Sequence, residues 1–269
     1  MLKDITIGQY FPGNTVVHRL DPRTKLLLVI VYIAALFTAK GLFGYLLVFA
    51  FLAAALVLSR IRPSVILKGL KPLLLIICLT GILNLLYTPG EELASFWIFT
   101  ITREGVASAI FMIWRIVMLI TGTFLLTYTT SPIALTDGLE LLLGPLKRIK
   151  VPVHELSMMM CIALRFIPTL IEETDKIMSA QKARGADFES GNLIQRAKAL
   201  IPILVPLFVS AFRRADELAV AMECRCYQGG KGRTRMKQLR YALRDVLALG
   251  LGLGLLAAVI ALRALGLTG

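Results

Sequence analysis

The sequence predicts an all-α, polytopic membrane protein with about five transmembrane helices and a basic region of long amphipathic helices between the fourth and the fifth. Three observations carry this reading. The 269 residues are 57% hydrophobic with a mean hydropathy of +0.76, whereas a soluble domain is roughly 45–50% apolar. Several apolar runs reach the about 17–25 residues that cross ~30 Å of hydrocarbon as a helix. Most of the 30 Lys and Arg residues, which leave a net charge of +13, flank those runs and do not form the aromatic-interleaved patches of a nucleic-acid surface. A lipid bilayer, not nucleic acid, is therefore the expected environment.

The first two spans, Leu26 to Ala39 and Leu42 to Ser59, are separated only by Lys40 and Gly41 and should form a helical hairpin. A basic loop, SRIRPSVILKGLK, leads to a third span from about Pro72 to Tyr87. The next loop, TPGEELASFWIFTITREG, holds three acids, one arginine and Trp97, a side chain favoured at membrane interfaces. A fourth span runs from about Val106 to Tyr128 and a fifth from Val246 to Leu262. Arg115 interrupts the fourth at a cost of at least about 2.5–3.5 kcal/mol, which snorkelling or pairing at a helix interface relieves. No Asp or Glu lies mid-span to form an ion relay, which argues against a self-contained secondary transporter. The segment MLKDITIGQYFPGN has no cleavable signal pattern, so insertion should rest on the first span.

Orientation follows from the basic residues, because cytoplasmic loops retain them. Lys3, Arg19, Arg23 and Lys25 precede the first span, Arg60, Arg62, Lys68 and Lys71 follow the second, and eighteen more lie between the fourth and fifth. The other side receives Lys40, Arg103 and Arg263. The N-terminus should be inside and the C-terminus outside. Residues 1–130 then form an N-terminal membrane region with about four spans, residues 131–244 a cytoplasmic region, and residues 245–269 a last span. In LDPRTKL, Asp21-Pro22 suits a helix start, and Arg23 and Lys25 suit the positive side. A second role for Asp21 and Arg23 would tie the first span to the cytoplasmic region.

Within that region, SPIALTDGLELLLGPLKRI opens with a cap and first-turn pair. Leu156, Met159, Ala163, Phe166, Leu170, Thr174, Ile177 and Gln181 then recur at spacings of three and four, forming one stripe of a long helix. A second long helix should run from about Leu193 to Tyr227, kinked or divided by Pro202 and Pro206. The two end alike. Ala183-Arg184-Gly185 and Cys224-Arg225-Cys226 each set an arginine between two small residues, and Asp175 and Asp216 both precede their arginine by nine positions. A last-turn arginine serves as a helix cap, worth about 0.3–1 kcal/mol against the dipole. As a pair, the two also offer five-donor forks that match carboxylates bidentately in a groove.

These pieces together, VHRLDPRTKL before the first span, SPIALTDGLELLLGPLKRI, ALRFIPTLIEETDKIMSAQKARG and AMECRC, resemble the T component of energy-coupling factor transporters, and the resemblance covers essentially the whole chain. It implies an all-helical subunit of an ATP-driven importer of vitamins or other micronutrients, with residues 131–244 as coupling helices. It implies two ABC-type ATPase subunits as partners, one met by Ala183, Arg184 and Gly185 and the other by Cys224, Arg225 and Cys226. It also implies an interchangeable substrate-binding membrane subunit, to which the stripe at Leu156, Met159, Phe166 and Leu170 is assigned. The second tip departs from the Ala-Arg-Gly pattern, and Cys226 lacks the access of glycine to positive φ.

No cofactor is expected. Two histidines, His18 and His154, and four cysteines without a C-x-x-C spacing support neither a zinc site nor a disulfide framework. The absence of a GxxxxGK[ST] loop places ATP chemistry on partners. A membrane-bound enzyme would need HExxH, GxSxG or an equivalent constellation, none of which occurs. The remaining alternatives are a T subunit dedicated to cobalt or nickel uptake and a stand-alone permease.

Overall fold

The computed structural model describes residues 10–96, 99–188, 192–229 and 238–265; Lys3 and Trp97 lie outside them. Helix α1 (Pro22–Thr38) begins where Asp21 accepts a hydrogen bond from the Arg23 backbone N–H and Pro22 supplies a preset φ at the first helical position. Ala39 and Lys40 are extended, and Gly41 turns the chain at φ 67° into α2 (Gly41–Ser59), giving the expected hairpin. Helix α3 (Pro63–Leu70), a 3₁₀ turn at Lys71–Leu73 and α4 (Leu74–Tyr87) together form one long apolar helical stretch. Strands β1 (Glu92–Phe96) and β2 (Phe99–Thr102) pair antiparallel as a small hairpin, with a register shift between Glu92 and Ala94. Thr102 caps α5 (Arg103–Thr129) by accepting from the Gly105 N–H at 3.0 Å. After α6 (Pro132–Leu142) come α7 (Val153–Ala183), α8 (Leu193–Cys224) and α9 (Leu243–Ala264).

Among the described residues, six helical stretches are long and apolar enough to cross a membrane, and they include α7 and α8. The reading from the basic residues expected five spans, with these two helices outside the membrane; both have the length and hydropathy of a span. Helix α1, expected as the first span, has 17 residues and is not one of the six. Pro202 and Pro206 do not divide α8, which runs through both.

The chain separates into two compact units. Residues 10–138 and 239–265 belong to one. Its core joins Tyr32, Ala35 and Leu36 of α1, Tyr45, Val48 and Leu52 of α2, Met118 of α5, and Leu255 and Val259 of α9. In lipid such helices associate by close packing and interhelical hydrogen bonds. Both operate here: the Tyr32 hydroxyl donates to the Met118 carbonyl at 2.9 Å, and its ring lies where a Cβ on Gly122 would fall 2.5 Å away. Gly252 of α9 similarly admits Leu28 of α1.

The other unit contains α7 and α8. They pass antiparallel: Gln181 donates to the Pro202 carbonyl, while eight positions earlier Glu173 meets Ser210 and Arg214. Few of their side chains are buried; Val153, Ser157 and Ile203 are. Large apolar side chains therefore face outward along both helices.

Candidate functional site

Both arginine tips are built by one backbone device. At the end of α7, the Gly185 N–H bonds to the Lys182 carbonyl and the Ala186 N–H reaches back to Gln181, each at 3.0 Å. At the end of α8, the Cys226 N–H bonds to Glu223 at 2.8 Å and the Tyr227 N–H to Met222 at 3.0 Å. These are Schellman closures, which satisfy carbonyls a helix end would otherwise leave open. Each arginine occupies the cap position, followed by a residue in the left-handed region: Gly185 at φ 87° and Cys226 at φ 57°. The sequence argues against a left-handed residue at Cys226, but the two closing hydrogen bonds hold it there against a steric cost of about 1–2 kcal/mol. Ala183, Arg184, Gly185, Cys224, Arg225 and Cys226 are all exposed. The first three gather at one helix end and the last three at another, and the antiparallel passage directs the ends away from each other.

Between the tips, the Glu173 carboxylate takes a short hydrogen bond from the Ser210 hydroxyl and an ion pair from Arg214 at 2.9 Å. Periodicity does not announce this pair, since its partners lie on different helices. Its trace was one carboxylate and one guanidinium at corresponding positions of two otherwise apolar stripes. Of the expected stripe, Leu156 and Met159 are 46% and 55% exposed, while Phe166 and Leu170 are half-buried. A second face went unnoticed: Leu204, Phe208 and Phe212 of α8 are also exposed, Phe212 by 69%.

In the other unit, LDPRTKL forms a polar knot at the start of α1. Asp21 accepts from Arg23 through both carboxylate oxygens, at 3.1 and 3.0 Å, while its backbone N–H donates to Asp245 at 2.8 Å. Burial alone would raise the Asp21 pKa, but the Arg23 hydrogen bonds and charge hold it below the usual carboxylate value. Arg23 also donates to the Leu239 carbonyl at 3.1 Å and stacks 4.0 Å from the Tyr241 ring centroid. The second oxygen of Asp245 accepts from the Ala242 N–H. Lys25, 5% exposed, spends its three donors on the His18 and Thr129 carbonyls and the Thr130 hydroxyl. Among the described residues, the knot thus ties the start of α1 to the end of α5 and to Leu239, Tyr241 and Ala242 ahead of α9, which lie at the C-terminal end of the 131–244 segment.

Arg115 is paired at a helix interface: its Nε donates to the Tyr45 hydroxyl at 2.8 Å, and the Phe37 and Tyr45 rings lie within 6 Å. Among the described residues, no group of three or more His, Cys, Asp or Glu side chains is arranged to hold a metal ion.

Comparison with known proteins extends over nearly the whole chain. Residues 13–236 match the family model described as cobalt transport protein, CbiQ. A protein of Ruminiclostridium cellulolyticum, named energy-coupling factor transporter transmembrane protein EcfT, is 57% identical over 251 residues, 93% of this chain and 94% of that one. Proteins of the same name from Clostridium kluyveri and Bacillus subtilis are 57% and 50% identical over 250 and 246 residues, covering 92% and 91% of this chain and 93% of each relative. With identity at this level over this length, the chain belongs to the family of energy-coupling factor transporter transmembrane proteins and is a T component, a membrane subunit of such a transporter.

Proposed function

We propose that this T component couples two ABC-type ATPase subunits to an interchangeable substrate-binding membrane subunit, for uptake of vitamins or other micronutrients. The observation that carries the reading is the duplicated helix end: two long helices finish in the same Schellman closure, each with an exposed arginine between small residues. Two ATPases that close on ATP and part after hydrolysis need one handle each. Ala183, Arg184 and Gly185 serve one, and Cys224, Arg225 and Cys226 the other. The small flanking side chains let the guanidinium enter a groove and make its bidentate contact with a carboxylate. Hydrolysis itself belongs to the partners, and this subunit converts their movement into displacement of α7 and α8.

The apolar stripe through Leu156, Met159, Phe166 and Leu170, exposed at the first two and half-buried at the last two, and joined by the exposed Phe208 and Phe212, supports contact with the substrate-binding subunit or with lipid. Residues 131–244 make the coupling region on the cytoplasmic side, and the basic asymmetry supports an inside N-terminus and an outside C-terminus. The family-model description as a cobalt transport protein favours one second reading, a subunit dedicated to metal uptake. A single neighbouring gene for a metal-type substrate subunit would point to that form.

The test is recovery of both ATPases on a tagged T component carrying Arg184→Ala and Arg225→Ala. Losing a desolvated charge pair costs about 2–5 kcal/mol. Each single change should weaken the complex and the double change should nearly abolish it. Lysine at either position should restore only part, since it lacks the planar fork. Normal recovery and normal uptake in the double variant would reduce the arginines to helix caps.

A further inference from the structure

The turn of the α1–α2 hairpin borders a cavity of about 420 Å³, lined in part by Lys40, Tyr45, Asn84, Ser108, Phe111 and Arg115. Its charge is unbalanced. Two cations line it, no lining residue is acidic, and neither Lys40 nor Arg115 forms an ion pair among the described residues. Among the described residues, the hydrogen-bond acceptor for Arg115 is the Tyr45 hydroxyl, which meets Nε and one terminal nitrogen. A guanidinium has five N–H donors, and a phenol supplies no negative charge. Beyond the Phe37 and Tyr45 ring faces, the remaining donors and the charge meet no anionic partner among the described residues.

The location narrows what such a partner is. Tyr45 lies five positions after Lys40, so Arg115 stands only about 7 Å along α2 from the hairpin turn. Asn84 is in the last turn of α4, which ends at Tyr87, so the same end of that helix borders the cavity. Helix ends of this kind lie at the headgroup level of a bilayer. Phe37, Phe43 and Trp114, adjoining the lining residues, are 58%, 60% and 45% exposed. An apolar surround of this sort faces acyl chains.

We infer that this cavity is a binding site for the phosphate of an anionic phospholipid headgroup, held by Arg115 and Lys40. Asn84 and Ser108 add hydrogen-bonding groups for the headgroup, while Phe111 and the outer aromatic side chains cover the glycerol and acyl chains. Basic pockets between membrane helices take anionic headgroups for this reason. A free phosphate ion shares the chemistry of the charged group but has no use for the apolar surround. The inference concerns the membrane unit alone and does not depend on the ATPase-coupling reading.

The experiment measures thermal unfolding of the purified full-length chain in detergent, with phosphatidylglycerol, phosphatidylcholine or inorganic phosphate added. Phosphatidylglycerol should raise the midpoint by about 2–4 °C more than phosphatidylcholine, as expected of a ligand bound by the folded state alone. Inorganic phosphate should leave it unchanged. Arg115→Gln and Lys40→Gln should each remove most of the excess shift, and phosphatidylglycerol retained in native mass spectra should fall with it. Lys40 is exposed and outside any helix, so its variant tests the site even if Arg115→Gln folds poorly. Equal shifts with both lipids, or an excess that survives both substitutions, would overturn the site. A shift from inorganic phosphate as large as that from phosphatidylglycerol would overturn the lipid assignment.

Discussion

Glu173 and Arg214, paired at 2.9 Å where α7 and α8 cross, each stand eleven positions before an arginine tip, Glu173 before Arg184 and Arg214 before Arg225. At 1.5 Å per residue, each tip extends about 16 Å from the ion pair. The two helices therefore form arms of equal length about one polar joint. With its partners partly exposed, the pair contributes at most about 1 kcal/mol to stability. Its larger effect should be on how movement passes between the arms. Glu173→Gln should leave both ATPases bound and hydrolysing while lowering uptake per ATP consumed, measured in reconstituted vesicles. Exchanging the charges, Glu173→Arg with Arg214→Glu, should recover part of the loss. Unchanged coupling in the single variant would make the crossing mere packing.

The two closures at the tips differ in strain, and substitution should expose the difference. Gly185→Ala places a Cβ on a left-handed residue at about 1–2 kcal/mol, whereas Cys226→Gly removes such a cost. Amide exchange of Ala186 should therefore accelerate by roughly five- to thirty-fold in the first variant, and that of Tyr227 should slow comparably in the second. Hydrogen-exchange mass spectrometry on peptides spanning each tip would read both changes.

Asp245 holds two backbone N–H groups, one from α1's cap and one from the start of α9. Asp245→Ala leaves both unpaired, and the Asp21 N–H, which is buried, costs about 1–3 kcal/mol. The midpoint of thermal unfolding should fall and α9 should become accessible to protease. Asp245→Asn, which keeps one acceptor oxygen, should fall between wild type and alanine.

His18 gives the polar knot a pH dependence. Burial is the chief influence on its ring and lowers its pKa below 6.5, with Lys25 adding to the effect and a hydrogen bond to the Phe11 carbonyl opposing it. The unfolded chain then takes up the proton first as pH falls, so the contribution of His18 is full above pH about 6.5 and declines below it. Acidification from pH 7.5 to 5.5 should lower the unfolding midpoint of the wild type more than that of His18→Gln.

Much of the membrane unit was legible because hydrophobic length is a local property. Helices α1, α5 and α9 begin within four residues of the starts expected for the first, fourth and fifth spans, and Asp21-Pro22 announces the entry to α1. The third is different: Pro63 begins a helical stretch that the basic residues Lys68 and Lys71 had marked as loop, since charge reports where a segment lies and not whether it is helical. The small β-hairpin after α4 likewise stands where the sequence predicts a loop. Asp21 and Asp245 could not be paired in advance, because they are 224 positions apart and no periodicity links them. At the tips the arginines were legible, whereas the left-handed Cys226 was not, since hydrogen bonding there overrides the residue's own preference.

The second tip carries a consequence of its own in Cys224 and Cys226. Thiols flank Arg225 and none flanks Arg184, so a sulfhydryl reagent can mark one arm and leave the other untouched. In a background with Cys78 and Cys161 replaced by serine, slower maleimide labelling of this end when the proposed ATPase subunits are added would report that it becomes covered, and unchanged labelling that it does not. The chain thus comes with its own one-sided reporter for the order in which its contacts form.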